Sequence, residues 1–248
     1  MALSSAQRVR YARQLAMPEI GDCGQLRLDA ARILIVGAGG LGSPAAYYLA
    51  AAGIGTLGLV DSDIVEASNL QRQILHSTAD LGRLKTDSAA DRLKALNPDL
   101  RVQTHSERFS STNAAQLLTD YDFVIDATDN FASKFLIADA CLAAGKAYSH
   151  AGIERFLGQT MTVVPGKSAC CRCLFETPPP ASPEAPQGPL GAVPGVIGAI
   201  QATEAIKYLL GLGELLLNRM LVYDALKLQM RIVVIHRRQS CVCGETSR

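Results

Sequence analysis

The sequence predicts an α/β protein with a Rossmann-like, mostly parallel sheet, helices on both faces and an antiparallel C-terminal extension. Three observations support this prediction. Short apolar, β-branched runs alternate with helical segments through much of the chain, as buried parallel strands do. The first of these runs, Arg32–Val36, continues directly into a glycine-rich turn that opens a helix. Near the C-terminus the apolar residues alternate loosely, which indicates antiparallel strands.

The predicted elements follow in the order that such a sheet requires. An amphipathic, arginine-rich segment forms a helical arm over 1–30, and Gly21, Asp22 and Gly24 interrupt it. A nucleotide-binding core over 31–165 comes next. Its predicted strands are Arg32–Val36, Thr56–Val60, Val102–His105, Phe123–Ile125 and Lys146–Ala151, and its helices are Pro44–Ala52, Ala79–Leu96, Asn113–Leu118 and Phe131–Ala144.

The C-terminal third differs in its proline content. The segment 177–194 holds seven of the eleven prolines, so it is predicted to be a mobile crossover loop rather than helix or central strand. The region 195–248 follows with a long apolar helix, Ile197–Leu210. Because no internal repeat is visible, we interpret 1–248 as a single domain. The remaining predicted strands are Thr160–Val164, Leu221–Val222 and Lys227–Ile235.

Composition excludes several classes of protein. Hydrophobic residues make up 48% of the chain, enough for a large core, so general disorder is excluded. A net charge of +1 and an aromatic content of 5% argue against a nucleic-acid or anionic-membrane partner. The sequence shows neither a signal segment nor an apolar run of membrane-spanning length, so we expect a cytoplasmic protein.

The loop Gly37-Ala-Gly-Gly-Leu-Gly42 has the spacing of a phosphate-binding turn between a strand and a helix. Glycines let the backbone approach a phosphate closely, and the following helix presents free N–H groups to it. Asp61 ends the next predicted strand, where a carboxylate is suited to accept ribose hydroxyls. The simpler alternative is a glycine turn that only tightens a strand–helix corner.

The residues after Asp61 favour a nucleoside triphosphate over a dinucleotide. Cations and amides neutralise triphosphate charge before a nucleophile approaches phosphorus, whereas hydride transfer does not need them. Asp129 follows a later core strand and would meet this group at the edge of the sheet, where it is suited to hold Mg²⁺. Alternatively, Asp129 caps the next helix. The polar group comprises Asp63, Asn69, Gln71, Arg72, Gln73 and Lys85.

Together these motifs resemble the MoeB/ThiF/HesA family, the bacterial relatives of ubiquitin-activating enzymes, and most of all its molybdopterin-synthase adenylyltransferase type. The resemblance implies ATP-dependent adenylylation of a ubiquitin-fold sulfur-carrier protein that ends in Gly-Gly, for molybdopterin, thiamin or related sulfur transfer. The matching segments run in family order from Arg10-Tyr-Ala-Arg13 through Gly37–Gly42, Asp61-Ser-Asp63, Ser68-Asn-Leu-Gln-Arg-Gln73, Lys85, Asp126-Ala-Thr-Asp-Asn130, Cys170-x-x-Cys173 and Gln201-Ala-Thr-Glu-Ala-Ile-Lys207 to Cys243.

The resemblance also implies a role for each matching residue. Catalysis falls to Arg72, Lys85 and Asp129, and to Arg13, which reaches into the site of the partner subunit and so implies a homodimer. On the residues alone, Arg13 is equally well an ordinary solvated arginine. Asp129 positions Mg²⁺ and the reacting groups. The implied nucleotide-binding set is Gly37, Gly39, Gly40, Gly42, Asp61, Asp63, Ser68, Asn69, Gln71, Arg72, Gln73, Lys85, Asp129 and Asn130.

Four cysteines resemble the structural zinc site of the family, in which four thiolates surround one ion. They are Cys170, Cys173, Cys241 and Cys243, although the second pair is CxC where the family has CxxC. Four reduced thiols without metal are the alternative. The extra thiol of Cys171 receives no role, and the four histidines share no motif and are assigned no chemistry.

The proline-rich segment departs from the thiamin branch, in which a loop cysteine links covalently to the carrier. Glu184 falls at that place and 177–194 contains no cysteine, so we expect the loop to guide the tail of the carrier. The chain ends at Arg248 without a rhodanese-type domain, so a separate sulfur donor is expected. Two other functions stay open: an NAD-dependent oxidoreductase on the same fold, and a non-catalytic carrier-binding scaffold.

Overall fold

The computed structural model describes residues 2–177, 188–239, 241 and 243. Its centre is an eight-stranded mixed sheet. Its order is β3-β2-β1-β4-β5-β6-β7-β8; the strands from β3 to β5 are parallel, and those from β5 to β8 pair in antiparallel fashion. The strands are β1 (Arg32–Val36), β2 (Thr56–Val60), β3 (Arg101–His105), β4 (Phe123–Asp126), β5 (Ala147–Glu154), β6 (Leu157–Val163), β7 (Arg219–Asp224) and β8 (Gln229–Val234).

Helices cover both faces of the sheet because the central strands are apolar on both sides. In β1, Ile33 and Ile35 face one core and Leu34 and Val36 face another, since successive side chains of a strand point to opposite faces. The fold class predicted from the sequence is therefore confirmed. The helices are α1 (Ser5–Arg10), α2 (Ala12–Leu15), α3 (Gly21–Ala30), α4 (Gly42–Ala52), α5 (Lys85–Leu96), α6 (Ala114–Thr119), α7 (Phe131–Ala143), α8 (Cys171–Leu174) and α9 (Ala192–Leu210).

The strand order directs attention to one place on the sheet. Strand β1 lies between β2 and β4, so the direction in which the chain winds reverses between β1 and β4. In open α/β sheets, ligands bind beyond the carboxyl ends of the strands at such a reversal. We call the edge at which the parallel strands end the carboxyl edge.

In the described part of the chain, no helix is both long and apolar enough to cross a membrane.

The antiparallel end of the sheet is covered less completely. Every residue of β8 is exposed, and Met230, Ile232 and Val234 form an apolar stripe on one face of this edge strand. Met230 and Ile232 pair with Tyr223 and Leu221 of β7, which contribute to the core that includes α9. Cross-strand partners share a face. The β8 stripe (Met230, Ile232 and Val234) therefore lies on the α9 face of the sheet.

Two predicted helix boundaries in the first half of the chain are wrong. The N-terminal helical segment ends at Leu15, before Gly21, but Gly21–Ala30 is not a break: Gly21, with a φ of 52°, begins a further helix, α3. The helix predicted from Ala79 begins only at Lys85. Ser77 and Asp80 close a separate 3-10 turn by reciprocal hydrogen bonds, and this turn precedes the helix.

The proline-rich segment is shorter than predicted at its C-terminal end. Helix α9 begins at Ala192, so Pro194 lies in its first turn rather than in a loop. Proline is tolerated there because the first helical N–H groups have no acceptor within the helix. The rest of the predicted crossover loop, including Glu184, falls largely on 178–187, which lie outside the described residues.

Candidate active site

The glycine-rich loop joins β1 to α4 at the carboxyl edge, next to the end of β4. Backbone packing requires two of its glycines. Gly37 has a φ of 101°, and a Cβ there would lie 2.8 Å from the carbonyl oxygen of Ala127. A Cβ at Gly42 would lie 2.0 Å from the carbonyl oxygen of Gly37. The loop therefore lies against the strand end that leads to Asp129.

The next two glycines face side chains of the polar motif that follows β2. A Cβ at Gly40 would lie 3.4 Å from Cγ of Arg72, and a Cβ at Gly39 would lie 3.5 Å from Nε2 of Gln73. The backbone N–H groups of Gly39 and Gly40 have no acceptor among the described residues. Unpaired N–H groups in a glycine loop before a helix are donors suited to a phosphate.

Asp61 follows β2 and holds the loop in place. Its Oδ2 accepts a hydrogen bond from the Ala38 N–H at 2.8 Å, and its Oδ1 accepts one from the Asp63 N–H at 2.9 Å. A carboxylate oxygen has two lone pairs, so each oxygen can still accept a second hydrogen bond. The half-buried Asp61 can thus fix the loop and accept ribose hydroxyls at the same time.

A short 3-10 turn, Ala67–Asn69, places the next predicted residues against this loop. Gln73 is buried; its Nε2 donates to Oδ1 of Asn69 at 2.9 Å, and its Oε1 has no partner among the described residues. Asn69 in turn donates to the hydroxyl of Ser68 at 2.9 Å. The exposed Gln71 contributes its carbonyl oxygen, which lies so near Gly191 that a Cβ there would be 2.1 Å away.

Lys85 is the first residue of α5, and its ammonium contacts Asp63. The distance from Nζ to Oδ2 is 2.8 Å, and the Lys85 side chain is 6% exposed while that of Asp63 is 67% exposed. A cation at the start of a helix is opposed by the helix dipole. A lysine in this place therefore needs an anionic partner, and a bound phosphate would add one to the single carboxylate.

Asp129 and Asn130 follow β4, the strand next to β1, and their side chains have different roles. Asn130 caps α7, because its Oδ1 accepts a hydrogen bond from the Ser133 N–H at 2.9 Å. The alternative that Asp129 caps this helix is therefore wrong. Asp129 is exposed, and its one hydrogen bond to a described side chain comes from Asn130 at 3.4 Å. Its carboxylate is available to a ligand.

Arg13 is not brought to this group within one chain. It lies exposed on α2, where it forms no hydrogen bond or salt bridge with a described residue. Its neighbour Gln14 donates to the carbonyl oxygen of Ala52, at the C-terminal end of α4. The glycine loop is at the other end of that helix, which at ~1.5 Å per residue is on the order of 15 Å away. A role for Arg13 at a partner subunit's site stays a prediction.

Sequence reasoning missed a buried ion-pair network beneath the Asp129 loop. Asp126, the last residue of β4, is fully buried and contacts Lys134 Nζ at 3.3 Å and His150 Nδ1 at 3.1 Å. Burial opposes ionisation of Asp126, but the Lys134 charge and the His150 hydrogen bond outweigh it and hold its pKa at about 2. A carboxylate that ends an apolar strand requires such a partner, and this is the signal that could have led to Lys134.

Lys134 and Gln201 extend the network to the loop and to α9. Lys134 Nζ also donates to the carbonyl oxygen of Thr128 at 2.7 Å, directly before Asp129. Nε2 of Gln201 donates to the carbonyl oxygen of Asp126 at 3.0 Å. Side chains of α7 and α9 therefore hold the backbone at the start of the loop that carries Asp129.

The four predicted cysteine ligands come together despite the irregular spacing of the second pair. Their sulfur atoms all lie within 4.8 Å of one another, with Cys170 and Cys241 at 3.5 Å and Cys173 and Cys243 at 3.4 Å. Four thiolates about 2.3 Å from a tetrahedral zinc ion would be roughly 3.8 Å apart. The cluster can therefore hold a zinc-sized ion, whereas the neighbouring buried Cys171 is not part of it.

The geometry gathers cationic and N–H donors at the carboxyl edge and places an exposed carboxylate after the adjacent strand. Arg72 and Lys85, together with the glycine loop, can neutralise several phosphate oxygens, and Asp61 can hold a ribose. Asp129 stands at the end of the adjacent strand. Such a site is suited to bind an oligophosphate and to bring a second anion next to it.

Comparison with known proteins assigns this chain to a family. A model of the ThiF family matches residues 11–244. The chain belongs to the ThiF family. A relative in Mycobacterium tuberculosis, "Probable adenylyltransferase/sulfurtransferase MoeZ", is 45% identical over 246 residues, which are 96% of this chain and 63% of that protein. This ThiF-family chain thus spans less than two thirds of the length of that relative.

One further relative resembles this ThiF-family chain in length, and one solved structure resembles it in fold. The "Sulfur carrier protein adenylyltransferase" of Thermus thermophilus is 44% identical over 95% of this chain and 90% of its own length. The crystal structure of E. coli MccB with MccA-N7isoASN superposes with a TM-score of 0.84 at 24% identity, covering 98% of this chain and 76% of MccB. At that identity, the structural likeness concerns the fold alone.

Proposed function

We propose that this ThiF-family chain is an ATP-dependent adenylyltransferase that activates the C-terminal Gly-Gly carboxylate of a ubiquitin-fold sulfur-carrier protein. One observation supports this most directly: the glycine loop, Arg72 and the Lys85–Asp63 pair meet at the carboxyl edge, with the free carboxylate of Asp129 on the adjacent strand end. The name of the Thermus thermophilus relative states the same activity for that protein.

The nucleotide is held by residues with distinct tasks. The N–H groups of Gly39 and Gly40 donate to phosphate oxygens, and Asp61 accepts the ribose hydroxyls. Gln73 lies next to Gly39, and its Oε1, which has no partner among the described residues, offers one further acceptor. The other members of the implied set, Ser68, Asn69 and Gln71, form the turn that brings Arg72 over Gly40.

The reaction then consists mainly of charge neutralisation and alignment. A carboxylate oxygen of the carrier attacks the α-phosphorus, the bond from that phosphorus to the bridging oxygen breaks, and pyrophosphate leaves with the electron pair. No general base is needed, because the nucleophile is already an anion. The obstacle is repulsion between the carboxylate and the triphosphate, which Arg72, Lys85 and the partner subunit's Arg13 of a homodimer would reduce.

Two metal ions fit the side chains present. Mg²⁺ commonly binds through one or two carboxylates together with phosphate oxygens and water, and Asp129 offers an exposed carboxylate with no cation beside it among the described residues. When bound, Mg²⁺ neutralises phosphate charge. A structural Zn²⁺ fits the cluster of Cys170, Cys173, Cys241 and Cys243. Reduced thiols in such numbers suit the cytoplasm, where we place the protein.

The β8 stripe is the surface that we assign to the body of the carrier protein. It is apolar and exposed, and it lies on the same face of the sheet as α9, whose first turn reaches Gly40 through Pro194. A carrier bound there would lie on the same face of the sheet as α9, and we propose that its extended tail passes α9 to reach the glycine loop. The adenylated tail would afterwards receive sulfur from a separate donor.

ATP–pyrophosphate exchange tests this function. The protein would be incubated with Mg²⁺, ATP, labelled pyrophosphate and a panel of ubiquitin-fold proteins that end in Gly-Gly. We expect exchange with at least one carrier, and none with the same carrier lacking its last two glycines. ATP binding without exchange for any carrier would contradict the proposal and favour a non-catalytic scaffold. Reduction of NAD in place of exchange would favour an oxidoreductase.

A further inference from the structure

His76 forms two hydrogen bonds that connect the glycine loop to α5. Its ring is buried; Nε2 lies 2.9 Å from the carbonyl oxygen of Ala38, and Nδ1 lies 2.9 Å from Oγ of Ser88. A carbonyl oxygen only accepts, so Nε2 carries the proton, and the Ser88 hydroxyl can donate to Nδ1. Burial lowers the pKa of His76, although its bond to Ala38 acts in the opposite direction. The neutral ring satisfies both contacts.

Ala38 is held from both sides of its backbone. Its N–H donates to Asp61 at 2.8 Å, and its carbonyl oxygen accepts from His76 at 2.9 Å. These two partners follow β2, whereas Ala38 follows β1. The backbone directly before Gly39 is therefore fixed by two side chains from elsewhere in the chain. The N–H of Gly39 itself donates to no described residue.

The orientation of one peptide plane links this contact to the phosphate site. The described residues contain no cis peptide bond, so the Ala38 carbonyl and the Gly39 N–H point in opposite directions. Because His76 holds the carbonyl on its own side, the Gly39 N–H must point away from His76. On that side of the loop, no described residue accepts a hydrogen bond from the Gly39 N–H.

We infer that His76 is a positioning residue that presets the glycine loop for phosphate binding by holding the Ala38 carbonyl. The inference rests on the proposed nucleotide site. Through Ser88, which lies one helical turn after Lys85 on α5, the same histidine also contacts the helix that carries Lys85, but the hold on Ala38 is the contact that orients the phosphate donor. Without this hold the Ala38–Gly39 peptide can rotate and present a carbonyl oxygen to the phosphates, where it would repel them.

Three substitutions separate the two hydrogen bonds. In His76→Gln the side-chain amide can still donate to Ala38, because glutamine places its nitrogen close to the position of Nε2. In His76→Asn the shorter side chain can accept from Ser88 but does not reach Ala38. Ser88→Ala removes the other bond and retains the hold on Ala38. For each, dissociation constants for ATP and for adenosine would be measured by calorimetry, together with the melting temperature.

We expect His76→Asn to weaken ATP binding on the order of tenfold and to leave adenosine binding unchanged, since only the phosphate donor is misdirected. His76→Gln and Ser88→Ala should bind ATP as the wild type does, even where the melting temperature falls. Wild-type ATP affinity in His76→Asn, or equal weakening of ATP and adenosine, would overturn the inference. Failure of the wild type to bind ATP would instead overturn the proposed function.

Discussion

The parallel and antiparallel parts of the sheet are stabilised in different ways. In the parallel part, the inner strands β2 and β4 are buried along their whole length and β1 along all but its first residue, whereas the edge strand β3 is exposed at most of its residues. In the antiparallel part, β8 is exposed along its whole length. The cysteine cluster lies in this second part and connects the segment after β6 with the segment after β8.

This difference indicates what each part of the sheet needs. A strand covered on both faces gains its stability from apolar burial, and its carboxyl end is free to carry polar side chains that serve a ligand. An exposed edge strand has little burial of its own and is a site for pairing with other chains. We therefore expect the parallel part to determine chemistry, and the antiparallel part to depend on its metal and to bind the carrier.

The strongest test of this division is Asp129→Ala in the parallel part. Because the exposed Asp129 supports no described element beyond a weak contact with Asn130, the fold should be unchanged. Loss of the carboxylate to which we assign the positioning of Mg²⁺ and the reacting groups should lower pyrophosphate exchange by about a hundredfold to a thousandfold. Exchange assays and a melting curve would measure the two effects separately.

The control for this variant is Asp99→Ala, which removes an exposed carboxylate on a turn away from the carboxyl edge. It should leave both activity and melting temperature unchanged. If Asp129→Ala retained full exchange, our assignment of Asp129 to the reaction would be wrong. If it unfolded the protein, the separation of chemistry from stability in this part of the sheet would be wrong.

Cys173→Ala tests the antiparallel part, with Cys171→Ala as its matched control. Both variants remove a buried thiol from α8, but only Cys173 belongs to the cluster of four sulfurs. We expect Cys173→Ala to lose bound zinc and about 3 kcal/mol of unfolding free energy, roughly 10 °C in melting temperature. Cys171→Ala should keep its zinc.

Elemental analysis and calorimetry would measure these two variants. Stoichiometric zinc in purified Cys173→Ala, or the complete absence of zinc from the wild-type protein, would contradict the assignment of a metal to the cluster. Equal losses of stability in the two variants would show that core packing, not metal binding, accounts for the effect.

The smallest effect concerns the β8 stripe, and neighbouring residues of the same strand provide the comparison. Ile232 lies in the stripe and is 50% exposed, while Val233 points to the opposite face and is 39% exposed. Ile232→Glu should raise KM for the carrier about tenfold, because a charge would be buried against an apolar partner. Val233→Glu should change it little.

The readout for these variants is the exchange rate at varied carrier concentration, with KM for ATP as a second measurement. An unchanged KM for the carrier in Ile232→Glu would remove the stripe from the proposed interface. Equal increases in both variants would indicate a general disturbance of β8 rather than a carrier contact. In either case the parallel part should bind ATP as before.

The parts of the fold that could be predicted from the sequence are those in which local pattern and tertiary environment agree. Strands β1 and β2 were predicted to the residue, because each is a five-residue apolar run next to a glycine turn, which is typical of a buried strand. The start of α5 was missed because Thr78–Asp80 has helical residues but satisfies its polar groups through Ser77 instead. Gly21 was misjudged because a glycine can begin a helix as well as end one.

The residues of the candidate site likewise fall into those that local sequence motifs indicate and those that only the topology brings together. Asp61, Asn69, Arg72, Lys85 and Asp129 lie within motifs whose spacing is local, so the sequence alone indicated them. Pairs such as His76 with Ala38 and Asp126 with His150 depend on how separate strands are placed in the sheet. No periodicity in one chain segment encodes that placement. Buried polar partners of this kind become visible only once the topology is known.

The position of β1 between β2 and β4 has a consequence for synthesis of the protein. Its second neighbour is made roughly ninety residues later, and the polar contact from Gln201 to the end of β4 comes later still. On the ribosome, β1 therefore lacks one of its two neighbouring strands until β4 has emerged, and β5 and β6 lack the helix that packs on them until α9 follows. Chaperones that bind apolar surfaces would engage the nascent chain during that interval.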